Sequence, residues 1–201
     1  MLAIPFLHAQ QPTEEQLSKL AEHMDKALGV RPGATIADIG TGLAVQHPIR
    51  IAGKVAPGGK VVCVDVEPSM IRRIQKQIDD RHISNMTAIL GKDDDPLLPR
   101  GTFDAILVSN TYHEFTQPDI MLARICEALK PGGTLVVVEN YSIEHRAESR
   151  ALQATRHDMA PETLERELSA AGFVVKERVE LILVNSADRL RYLVRAERQP
   201  Q

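Results

Sequence analysis

The chain has 201 residues, with 24 Lys and Arg against 27 Asp and Glu and a net charge of -3. That length favours one domain with an ordinary core, and no run of Lys or Arg exceeds two, which argues against a nucleic-acid partner. No apolar stretch approaches the roughly 18 residues that span a membrane, and the two cysteines, Cys63 and Cys126, fall in apolar patterns that suit small buried hydrophobes better than a disulfide or a metal pair.

The first ten residues, Met1 to Gln10, resemble the tail of an export signal ending after Ala9, but they lack a basic leading region. Residues 1–12 are therefore expected to form a flexible arm on a single domain covering 13–201. A cytoplasmic protein is expected, with export as the alternative. Thr13-Glu14-Glu15-Gln16 is a capping box, because Thr13 can cap the helix while Gln16 reaches back three residues. Leu17, Leu20, Met24, Ala27 and Leu28 then share one helical stripe. The helix ends near Gly29, and Pro32-Gly33 turns the chain into a strand from Thr35 to Asp38.

Strands and helices alternate from there. A helix is expected from Val45 to Val55, a strand from Lys60 to Asp65, and a helix from Pro68 to about Asp80. Strands follow at Asn85–Leu90 and Asp104–Ser109, then a helix from Pro118 to Leu129. Pro131-Gly132-Gly133 turns into a fifth strand, Thr134 to Glu139. Unbroken apolar runs such as Ala105-Ile106-Leu107-Val108 mark strands covered on both faces. The alternation predicts an α/β fold with a doubly wound parallel sheet. The last third differs. A helix from Pro161 to Ala171 closes at Gly172. Phe173–Val184 and Leu190–Ala196 then read as an antiparallel hairpin joined by Asn185-Ser186-Ala187-Asp188. The total is seven strands with helices on both faces. Residues 141–160 show least periodicity and are expected to form a substrate lid.

The most informative segment is Ile36-Ala37-Asp38-Ile39-Gly40-Thr41-Gly42, followed by Val61-Val62-Cys63-Val64-Asp65. A strand runs into a glycine turn, and a second strand ends on a carboxylate. Glycines allow close approach of a ligand to the backbone, and the acid can accept both hydroxyls of a ribose. Nicotinamide dehydrogenases and methyltransferases share this layout. The remainder decides between them: Gly101-Thr102-Phe103-Asp104, Asn110-Thr111-Tyr112-His113-Glu114-Phe115, Leu129-Lys130-Pro131-Gly132-Gly133, and Ala170-Ala171-Gly172-Phe173 before the late hairpin. With these motifs, residues 30–195 resemble the class I S-adenosylmethionine-dependent methyltransferases, whose fold is Rossmann-like.

The resemblance implies that Gly40 and Gly42 lie against the methionine part of S-adenosylmethionine and that Asp38 helps to hold its ammonium. It implies that Asp65 binds the ribose, with Val66 also at the cofactor and Met70 near the adenine. Lys92 stands where the family commonly has an acid, so Asp93 or Asp94 is expected to take over that contact. Ala44 replaces the motif's third glycine. Asn110 opens the segment at the carboxyl end of the fourth strand, where ligands sit in such sheets. His113 is a candidate base, since imidazole titrates near neutrality, and equally a residue that lines the pocket. Tyr112 and Glu114 are weaker candidates, one of which is expected to face away from the site. His113, Glu139 and Tyr141 are candidate substrate contacts, and Asn140 shares their rim. His113, His145 and His157 lack tight ligand spacing, and adjacent aspartates diverge, so no metal is expected.

The expected function is S-adenosylmethionine-dependent methylation of a small-molecule acceptor, with no nucleic acid and no membrane as partner and a homodimer possible through the arm or the hairpin edge. The alternatives are a non-catalytic S-adenosylmethionine-binding protein and a protein methyltransferase.

Overall fold

Alternation of side chains along the central strands decides which helices cover which face. Each strand residue points opposite to its neighbour, so a strand apolar at every position must be covered twice. The computed structural model describes residues 13–181 and 189–199. The expected arm at 1–12, the end of the first hairpin strand at 182–184 and the hairpin loop at 185–188 lie outside the described residues.

The described elements run α1 (Glu14–Ala27), β1 (Thr35–Ile39), α2 (Gln46–Val55), β2 (Lys60–Asp65), α3 (Pro68–Asp80), β3 (Met86–Leu90) and β4 (Phe103–Ser109). A short 3₁₀ turn (Tyr112–Glu114) follows, then α4 (Pro118–Ala128), β5 (Leu129–Ser142), α5 (Arg150–Thr155), α6 (Pro161–Ala170), β6 (Phe173–Leu181) and β7 (Arg189–Arg198). The capping box forms as expected: Thr13 accepts from the Gln16 N–H, and the Gln16 side chain accepts from the Thr13 N–H.

The seven strands form one sheet in the order β3-β2-β1-β4-β5-β7-β6. β1 pairs in parallel with both β2 and β4, β5 pairs in parallel with β4, and β7 runs antiparallel to β5 and to β6. Ala105, Leu107, Val136 and Val138 join Met24, Ile51, Val55, Ile74 and Ile78 in one core, under α1, α2 and α3. Ile106, Val108, Leu135 and Val137 face the opposite way and pack with Leu122, Ile125, Leu164 and Leu168 of α4 and α6. Reversal of strand order on either side of β1 and β4 opens a crevice at their carboxyl ends.

β5 is longer than expected. Leu129 pairs with Phe103 and Thr134 with Ala105, so the intervening Lys-Pro-Gly-Gly segment is looped out of the ladder. At its far end the strand continues to Ser142, because β7 supplies partners through Arg189. Around the short helix α5, the stretch 141–160 is held largely by buried side chains. Gln153 is buried, its amide donates to the Arg146 and Glu148 carbonyls, and its oxygen accepts from the Ala160 N–H. The Met159 N–H bonds to the Asn140 carbonyl, and the Tyr192 hydroxyl donates to the Met159 carbonyl. Among the described residues no helix is long and apolar enough to cross a membrane.

Candidate functional site

At the carboxyl ends of β1, β2 and β4 lies a cavity of about 650 Å³, within the size range of small-molecule sites. Gly40, Gly42, Asp65, Val66, Met70, Asp93 and Asn110 all line it. The turn after β1 places Gly40 and Gly42 at its floor, both with positive φ, +73° and +48°. Their missing side chains serve different ends. A Cβ on Gly40 would lie 2.1 Å from Thr111 Cγ2, so that glycine admits Thr111, whose hydroxyl donates to the Gly40 carbonyl at 3.1 Å. A Cβ on Gly42 would meet nothing nearer than Asp65 Oδ2 and the Gly40 carbonyl, each 3.9 Å away. Gly42 is the glycine that leaves open space beside the acid.

Asp65 ends β2, 7% exposed, and its carboxylate is pinned on both oxygens. Oδ2 accepts from the Gly42 N–H at 2.8 Å and Oδ1 from the Glu67 N–H at 2.9 Å. A carboxylate oxygen has two lone pairs, so each keeps one for a ligand hydroxyl. Asp38, near the end of the neighbouring strand β1, is 4% exposed and not part of the cavity lining. Burial pushes its carboxyl up to about 7, with the Thr41 hydroxyl opposing and the Asp65 charge adding to the rise. In the loop after β3, Lys92 and Asp93 reach the cavity, whereas Asp94 does not. Asp95 is spent on structure, accepting from the Leu97 N–H and pairing with Arg124.

The opposite wall is a relay of amides. Asn110 has φ +53°, and its side-chain oxygen accepts from the Asn140 amide at 2.6 Å. The Asn140 oxygen accepts from Arg191 Nε at 3.0 Å. Arg191 lines the cavity without a carboxylate within ion-pair distance among the described residues. Its pKa is lowered, chiefly by burial. His47 from α2 lines the same end, and burial, with Arg50 and Arg191 nearby, lowers its pKa as well. Phe115, Thr116 and Met121 complete the wall.

The 3₁₀ turn divides its side chains between two sides. Tyr112 faces away from the cavity: it is fully buried, its hydroxyl donates to Glu167 of α6 at 2.7 Å, and burial together with Glu167 holds it protonated far above the usual phenol range. Tyr141 also faces away, stacked edge-on against Tyr192 with its hydroxyl at Glu180. Glu114 lines the cavity. His113 lies behind it, 3% exposed, with Nδ1 3.1 Å from both oxygens of the fully buried Glu139. Burial alone lowers its pKa, but the Glu139 carboxylate outweighs that and the net shift is upward. Glu139 also accepts from the His113 and Asn140 N–H groups, so it orients the turn rather than facing the cavity. His145 pairs with Glu148. His157, which the sequence leaves isolated, comes to 3.3 Å from His113.

Sequence reasoning did not single out Thr111, His47 or Arg191, whereas of the weaker candidates Tyr112 and Glu114, one of which was expected to face away, Glu114 is the one that reaches the cavity. Thr111 was legible in principle, since a residue next to the strand-four ligand position must clear the glycine turn of β1. Arg191 had no local signal, because it reaches the cavity only through the antiparallel insertion of β7 beside β5.

Comparison with known proteins places this geometry in a family. The model of the ubiE/COQ5 methyltransferase family matches residues 15–170. A ubiquinone/menaquinone biosynthesis C-methyltransferase of Escherichia coli O1:K1 is 30% identical over 173 residues, 85% of this chain and 61% of the relative. A nocamycin O-methyltransferase of Saccharothrix syringae is 33% identical over 106 residues, 52% of this chain and 37% of the relative. The chain thus spans less than two thirds of the length of these relatives. A crystal structure of a SAM-dependent methyltransferase from Aquifex aeolicus superposes with a TM-score of 0.74 at 22% identity, covering 93% of this chain and 99% of that one, which establishes the shared fold.

Proposed function

The chain belongs to the ubiE/COQ5 methyltransferase family, and from that footing we propose that it transfers a methyl group from S-adenosylmethionine to a small-molecule acceptor. The observation that carries the reading is the Asp65 carboxylate, held by two backbone N–H groups at the wall of the cavity with one lone pair free on each oxygen. A ribose with two adjacent hydroxyls suits that acceptor pair. The open space at Gly42 suits close passage of a chain from ribose to sulfur. Val66, Met70 and Pro96 offer apolar surface for a base. Asp38 supports the ammonium of the methionine tail, and the cationic Arg191 at the far end supports a carboxylate.

The donor carries its methyl group on a sulfonium already activated for in-line displacement. The protein's task is therefore mainly to position the acceptor and exclude water. Phe115 and Met121 form an apolar wall that does both. Tyr112 acts in the fold, where its hydroxyl stays with Glu167. His113, held by Glu139 outside the cavity lining, acts as a positioning residue for Glu114. The relatives' names, for quinone and nocamycin methylation, support a small organic acceptor.

We place the protein in the cytoplasm, where two unpaired cysteines are unremarkable, with export the alternative reading. A homodimer along the exposed β6 edge is the corresponding expectation for assembly. The test is incubation with methyl-labelled S-adenosylmethionine and a panel of phenols, quinols, enols and carboxylic acids. Transfer to at least one acceptor, lost in Asp65→Ala, is expected. Tight donor binding with no transfer to any member would favour the non-catalytic binding protein.

A further inference from the structure

Three potential metal-binding groups meet at the edge of the cavity although the sequence separates two of them by 44 positions. His113 Nε2 lies 3.3 Å from His157 Nδ1, with the rings perpendicular, and 3.8 Å from Glu114 Oε1. All three donor atoms fall within 4.8 Å of one another. From this geometry we infer that His113, His157 and Glu114 form a binding site for a divalent transition-metal ion, adjoining the cavity and able to hold an oxygen donor of the acceptor.

Ligand spacing supports the assignment. Two nitrogens each about 2.0–2.1 Å from a tetrahedral ion stand about 3.3–3.4 Å apart, and the two imidazoles already have that separation. Glu114 is 64% exposed at its side chain, so it is free to swing inward by the remaining ångström. Two imidazoles and one carboxylate make a set suited to zinc, iron, cobalt or manganese, with coordination positions left over. Because Glu114 also lines the cavity, those positions open toward bound substrate.

The surroundings of the ligands are those a metal site requires. A ligating histidine ordinarily donates its other ring N–H to a carboxylate, which fixes the tautomer and aims the free nitrogen. Glu139 does this for His113 from complete burial. His157 is held from its backbone: Arg189 donates to its carbonyl at 2.6 Å and pairs with the buried Asp158 beside it. His157 occupies the left-handed position that ends α5, with φ +55°, where glycine is the residue of least strain. A strained histidine there whose ring nitrogen meets another imidazole is a second sign that the side chain has a use.

That strain provides the discriminating variant. The full chain, stripped with a chelator, is titrated with Zn²⁺ by calorimetry and with Co²⁺ by visible absorption, with no methyl donor or acceptor present. The parent should bind one equivalent saturably, and Co²⁺ should give a ligand-field spectrum of mixed nitrogen and oxygen coordination. His157→Gly relieves the backbone, so its melting temperature should be no lower than the parent's, while its metal affinity falls at least about tenfold. His145→Ala should bind like the parent. Glu114→Gln, at an exposed side chain, asks the same question without altering the backbone. Absence of saturable binding in the parent, or unchanged affinity in both His157→Gly and Glu114→Gln, overturns the assignment and leaves the imidazole pair as a hydrogen bond. The outcome is independent of whether methyl transfer is found.

Discussion

The two walls of the cavity are built by different means. On the β1–β2 side the groups that face the cavity are fixed by backbone: Gly42 and Glu67 donate their N–H groups to Asp65 across 23 and two positions of sequence. On the β4–β5–β7 side they are fixed by side chains from distant segments. Asn110 meets Asn140 across 30 positions, Asn140 meets Arg191 across 51, and Thr111 meets Gly40 across 71. A wall made of backbone geometry needs glycine and aspartate at set spacings and so leaves a readable motif. A wall made of side-chain relays needs only that the topology bring the right residues together.

The sharpest way to break this contrast is at Gly40, where the two walls touch. Gly40→Ala forces a methyl group into Thr111 and a left-handed backbone onto alanine. The expected loss is about 2–5 kcal/mol of folding stability, from strain and overpacking together, read by urea denaturation. Combining it with Thr111→Gly should recover the overpacking share. Strictly additive losses would show that Thr111 is not the cause.

Asp65→Ala acts on the backbone wall alone. Removing two charge-assisted hydrogen bonds should weaken S-adenosylhomocysteine binding by about 1.5–3 kcal/mol, measured by calorimetry. An unchanged dissociation constant would detach the acid from the ligand.

On the other side, Tyr112→Phe separates structure from chemistry. The phenol's bond to the Glu167 carboxylate is part-buried, so its loss should cost roughly 2 kcal/mol of stability while turnover stays within about twofold of the parent. A large fall in turnover with stability intact would make Tyr112 catalytic after all.

The smallest effect sharpens the role of Asp38. Burial raises its carboxyl to about 7. For a carboxyl raised on folding, the protonated form is the one the fold favours. Its contribution to the stability of the ligand-free chain is therefore full below about 3.8 and is lost as pH rises to about 7. Ligand binding runs the opposite way, because an ammonium requires the ionised form. Affinity for S-adenosylhomocysteine should fall about tenfold, about 1.4 kcal/mol, per unit as pH drops below about 7. A flat profile between pH 5.5 and 7.5 would confine Asp38 to a structural role.

Legibility followed the same division. The sheet, its parallel core and the late hairpin were readable, because apolar runs and Pro-Gly turns are local. The cavity-lining residues Gly40, Gly42, Asp65, Val66 and Met70 were readable because they sit at set spacings in motifs that the family resemblance carries. Asp93 and Asp94 were not separable in sequence, since only the turn formed by Lys92 and Asp95 decides which one faces inward. Tyr112 and Tyr141 were placed on the right rim, but the direction of a side chain at the end of a strand depends on partners such as Glu167 and Tyr192. The approach of His157 to His113 left no trace in spacing, because α5 brings it back from 44 positions away.

The central claim concerns one carboxylate, and a crystal structure of the chain with S-adenosylhomocysteine tests it most directly. The account predicts both ribose hydroxyls within about 2.5–3.0 Å of the two Asp65 oxygens, with the ligand's amino-acid tail passing Gly42 toward Asp38 and Arg191. A ligand seated elsewhere, or a ribose out of reach of Asp65, would contradict it.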